Sequence, residues 1–79
     1  MRDYIVKYDT TLKKVVDVIT ENIQVRYTAI WANADVRKEE KKGPVKSVSF
    51  WDPDTLFILV EATDKEMAEK LALDWADPC

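Results

Sequence analysis

The run LFILVEA, Leu56 to Ala62, is apolar at nearly every position. A strand with one wet face alternates apolar and polar residues, whereas a strand buried on both faces reads as a continuous apolar run. This run therefore demands cover on two sides. Before it, DPDT at 52–55 puts proline where a type I turn wants it, and VKSVSFW at 45–51 shows a period of two. The alternation places Val45, Ser47, Ser49 and Trp51 on one face and Lys46, Val48 and Phe50 on the other, so the two strands form a hairpin. After the hairpin, Thr63 and Glu66 fit a capping box, and Met67, Leu71 and Trp75, with Ala68 and Ala72 beside them, line one face of a helix. Asp77, Pro78 and Cys79 end that helix.

The demand for two-sided cover meets a small chain. Its 79 residues make one domain, 1–79, and a domain of that size buries only about 60% of the surface its unfolded form exposes. Such a core needs a supplement. One cysteine rules out an internal disulfide, and with no histidine and no second thiol a structural zinc has no ligand set. Self-association is the remaining common remedy, so a homo-oligomer is expected, with a partner subunit supplying the second cover for LFILV.

Upstream, DYIVKY at 3–8 reads as a strand with Tyr4, Val6 and Tyr8 on one face. DTT then offers Asp9 or Thr10 as a helix cap, and Leu12, Val15, Val16, Ile19 and Ile23 recur at helical spacing. A first helix is expected from there. QVRYTAIWANADV, 24–36, reads either as a strand, with Val25, Tyr27, Ala29 and Trp31 alternating, or as a continuation of the helical stripe through Ile23, Tyr27, Ile30 and Ala34. The helical reading is favoured, because 29–42 is rich in helix formers and Gly43-Pro44 supplies a stop. A break near Asn22 to Val25 is the alternative. The charge run RKEEKK, Arg37 to Lys42, is of mixed sign and reads as the solvated end of that helix.

The order is strand, long helix, strand, turn, strand, helix. This is an α+β domain: a β-α-β-β-α chain with an antiparallel sheet and both helices on one face, the split arrangement of ferredoxin-like domains with the fourth strand missing. The Ser49 to Trp75 unit, a strand, a polar turn, a strand ending in Val-Glu-Ala, an acidic cap and a helix closing on tryptophan, resembles the dimeric α/β-barrel superfamily. The likeness is to its muconolactone-isomerase-like domains, its antibiotic-biosynthesis-monooxygenase-like domains and above all its small uncharacterised groups. The resemblance implies a sheet-to-sheet homodimer. It also implies, as the alternative to a non-catalytic binding or structural role, a cofactor-independent enzyme acting on a small apolar or aromatic substrate in a cleft between sheet and helices.

No motif in the chain identifies a reaction. Without histidine, neither a Ser-His-Asp nor a Cys-His nucleophile can be assembled, and the single glycine, Gly43, excludes a glycine-rich phosphate loop. No cofactor is expected. Asp52 and Asp54 carry oxygen ligands, but Asp-Pro-Asp-Thr is a turn sequence first, and no metal is expected. Asp3 and Glu61 interrupt apolar strands; they read as strand-end groups facing water, with carboxylates inside a cleft as the alternative. Among the aromatics, Trp75 and Phe57 are expected in core or dimer packing, and Tyr27, Trp31 and Trp51 are the candidate ligand-binding or interface residues, fit for a small apolar ligand.

Twelve basic residues against fifteen acidic ones give a net charge of −3. That argues against nucleic acid, as does the lack of a glycine-aromatic pattern in VKSVSFW. MRDYIVKY has no apolar leader region and LFILV is far too short to span a bilayer, so no membrane partner is expected, and a cytoplasmic setting is.

Overall fold

The computed structural model of the chain describes residues 2–39, 43–52 and 54–76. Among these, the elements in order are β1 (Arg2–Asp9), β2 (Lys14–Ile19), α1 (Ile23–Asn33), β3 (Val36–Glu39), β4 (Val45–Asp52), β5 (Thr55–Ala62) and α2 (Lys65–Ala76). The strands form one five-stranded sheet in the order β2-β1-β5-β4-β3, with every neighbouring pair antiparallel. The chain is α+β, as its pattern implies. Its path is not the expected β-α-β-β-α, however, because two further strands precede and follow α1. No helix among the described residues is long and apolar enough to cross a membrane.

The first departure begins at Asp9. Its Oδ1 accepts the N–H groups of Thr11 at 2.8 Å and Leu12 at 2.9 Å, the kind of bond a helix cap accepts. The same bonds close an Asx turn. Lys13 then takes a left-handed φ of 55° and the chain reverses into β2, which pairs back on β1. Val15, Val16, Val18 and Ile19 have their χ1 freedom restricted in a helix and fit a pleated surface well, and here that preference prevails over the helical spacing. Val16 falls where the register of β2 against β1 shifts, and its side chain is exposed.

α1 starts where the break was the alternative: Asn22 is left-handed at φ 53° and leads directly into the helix. The helix ends at Asn33, and the residues expected to continue it become β3, whose four residues are all exposed. Arg37, from β3, bonds through Nε to the Trp31 carbonyl and through Nη2 to the Ala32 carbonyl at 3.1 Å. Two orphaned carbonyls at the end of α1 thus find a cationic donor. Gly43, at φ 75°, serves the connection between β3 and β4 rather than a helix stop. The rest of the charge run, 40–42, lies outside the described residues, as do Cys79 and the expected end of the last helix.

The strands β1, β4 and β5 and the helix α2 form where the sequence pattern puts them. Tyr4, Val6 and Tyr8 of β1, Leu56, Ile58, Val60 and Ala62 of β5, and Val45 and Val48 of β4 join Ala68 and Ala72 of α2 in one buried cluster, with Phe50, Leu71 and Trp75 packed against it. Two alanines with no exposure let α2 lie close on the sheet. In β4 the ladder shifts between Val45 and Ser47, so Lys46 is a bulge. That bulge corrects the simple alternation: Val45 joins Val48 and Phe50 on the α2 side.

The other face carries Ile5 and Leu59, which are cross-strand partners, and Ser47 and Ser49, whose hydroxyls meet Tyr27 of α1. The helices therefore lie on opposite faces of the sheet, not on one. The crossing itself is required by the connection: β2 and β3 are the two borders and run in the same direction, so α1 must pass over the sheet between them. α1 thereby supplies part of the second cover expected from a partner. Ile5 has no exposure and Leu59 and Phe57 are half-buried, while Leu56, Ile58 and Val60 are fully covered on the α2 side.

Candidate functional site: the cleft between α1 and the sheet

α1 does not seal against the sheet, and none of its residues is buried. Its apolar residues are spread around the helix, so only Ile23, Tyr27, Ile30 and Trp31 turn partly inward. Beneath its first turns a cleft of about 310 Å³ remains, lined by Asp3 of β1, Leu59 of β5 and Ile23, Gln24, Tyr27 and Thr28 of α1. That lies at the small end of the range for sites that hold small molecules.

Tyr27 anchors the helix over the cleft. Its hydroxyl shares a hydrogen bond with Ser47 and accepts one from Ser49 Oγ at 3.2 Å. Ser49 has no exposure and Ser47 only 6%, so two serine hydroxyls that would be costly to bury alone are satisfied through one phenol. Thr28 Oγ1 donates to the Gln24 carbonyl at 2.8 Å, which holds the polar lip of the helix in place.

At the sheet side, Asp3 and Glu61 are direct cross-strand partners, an unfavourable pairing of like charges. The Lys46 bulge resolves it. Lys46 Nζ lies 2.9 Å from Asp3 Oδ1 and 3.2 Å from Glu61 Oε2. The hydrogen bond to Asp3 and then that to Glu61 raise the Lys46 pKa, so the amine is a stable cation and no nucleophile at neutral pH. All three side chains are close to half exposed, at 41 to 45%.

The three aromatics singled out in the sequence separate here. Tyr27 is in the cleft wall, and Trp31, one turn along α1, tilts against it with ring centroids 5.7 Å apart. Trp51 makes an edge contact with Phe57 at 5.8 Å and is 39% exposed. Lys7 Nζ stands 5.9 Å from the Phe57 ring, on the same patch. Trp75 packs against the core with Lys38 Nζ 5.9 Å from its ring. Asp54 accepts a hydrogen bond from Thr11 at 2.7 Å, which ties the β1–β2 turn to the β4–β5 turn, while the side chain of Asp52 lies outside the described residues.

Asp3 thus both ends a strand and faces the cleft, so its two sequence readings are each partly met. Lys46, Gln24 and Thr28 carry no sequence signal as site residues. A bulge that brings a lysine between two carboxylates cannot be told from ordinary alternation, and the polar lip depends on which way α1 crosses. No family model, curated protein or solved structure matches the chain.

Proposed function

We propose that the chain is a small cytoplasmic binding module without chemistry of its own, which holds a compact, largely apolar molecule between α1 and the sheet and acts as a homo-oligomer. The observation that carries this reading is the cleft itself, lined by Ile23, Tyr27 and Leu59 together with the polar Asp3, Gln24 and Thr28. Such a mixture binds by area and orients by a few polar contacts. Assembly is supported by Trp51 and Phe57, an aromatic pair left open on the face α1 covers only in part, and by Val25, 75% exposed on the outer side of α1. Aromatic residues of this kind dominate association energetics. The kinship with the dimeric α/β-barrel superfamily belongs to the same proposal and is confined to β4, β5 and α2, the unit that suggests it.

Light scattering on the purified chain, with a Trp51→Lys variant beside it, tests the assembly. A dimer at micromolar concentration is expected, with association weakened roughly tenfold or more in the variant. A monomer in both cases overturns it.

A further inference from the structure

We propose that the cleft selects a small organic ammonium ion, a primary amine on a compact apolar body, held by the carboxylate of Asp3 and the ring of Tyr27. This rests on the reading of the cleft as a ligand site and adds the charge of what it takes. Lys46 bonds one oxygen of Asp3 and one of Glu61. Two carboxylates and one ammonium leave one net negative charge at the cleft's end, and the Asp3 oxygen that Lys46 does not bind is an acceptor on the residue that lines it. Lys46 itself demonstrates that this pair of carboxylates accepts ammonium N–H donors at hydrogen-bond distance.

Tyr27 adds to the preference, since an aromatic ring attracts a cation within about 6 Å of its centre. The opposing influence is the amino end of α1, whose residues Ile23 and Gln24 also line the cleft. A helix end carries roughly half a positive charge, less than the net negative unit opposite it. An anion would therefore meet the wrong sign, and a neutral molecule would gain only the apolar walls. Because the carboxylates are near half exposed, the selection is modest and weakens with salt.

Benzylamine, benzyl alcohol and benzoate, alike in shape and different in charge, separate the alternatives when titrated into the folded protein under nuclear magnetic resonance detection at residues 3, 24, 27 and 28. Benzylamine is expected to bind about three- to fivefold tighter than the alcohol, with Asp3→Asn removing that advantage. Equal binding of all three, tighter binding of benzoate, or an amine preference that survives Asp3→Asn overturns the charge selection while the ligand site stands. No perturbation by any probe at millimolar concentration overturns both.

Discussion

Tyr27 is the residue on which cleft and fold meet, because one hydroxyl serves two buried serines. Tyr27→Phe keeps the ring and strands both partners, so it should destabilise the protein by about 1–3 kcal/mol, read from chemical denaturation. Adding Ser47→Ala and Ser49→Ala should recover much of that loss, since removing all the polar partners leaves nothing unsatisfied. A single variant as stable as the parent would show that the serines find other partners. Lys46 gives a second residue-level expectation. Its folded-state pKa is raised above the ordinary 10.5. Whatever stability its ion pairs contribute is thus fully present below that ordinary value and is lost as pH climbs through the higher folded one. The difference in stability between the parent and Lys46→Gln should be flat across neutral pH, below about 1 kcal/mol for groups this exposed, and should close in strong alkali. A difference that closes between pH 6 and 8 would mean another group governs it.

At the level of elements, α2 shows how a correct expectation can rest on the wrong atom. The capping box points to Thr63, yet the N–H of Met67 is held by Asp64 Oδ1 at 2.8 Å, and Thr63 Oγ1 turns to the Met67 sulfur at 3.1 Å. Asp64→Ala should therefore cost about 1 kcal/mol in thermal or chemical unfolding, and Thr63→Ala only a few tenths. The reverse order would restore Thr63 as the cap. β1 and α2 were legible because their apolar positions keep one period, β5 because it is a continuous apolar run, and β4 because its alternation holds from Ser47 to Phe50 despite the bulge at Lys46. β2 was not, because Asp9 makes bonds common to an Asx turn and a helix cap, and the four β-branched residues that follow also satisfy i, i+3, i+4 spacing. β3 was hidden by good helix formers at its charged positions, whose strand pairing with β4 is a tertiary effect. Of the cleft, Tyr27 and Asp3 could be singled out from residue type alone, whereas Leu59 reaches it only through register and Lys46 meets Asp3 only through a bulge.

The whole molecule is a sheet between two unequal covers. α2 closes one face with a tightly packed cluster; α1 crosses the other without burying any of its own residues, and the cleft and the Trp51–Phe57 patch both lie on that looser side. Doubly apolar β5 thus gains its second cover partly from its own chain, which reduces what a partner subunit must supply without removing the exposed aromatics. The sheet borders complete the picture. β3 presents Arg37, Lys38 and Glu39 to solvent, and β2 is interrupted at Val16. Neither offers a flat template on which an added strand could zip. Copies of this chain are thereby steered away from endless ribbon growth, and a cell can keep it at high concentration with little risk of fibrils seeded from its native state.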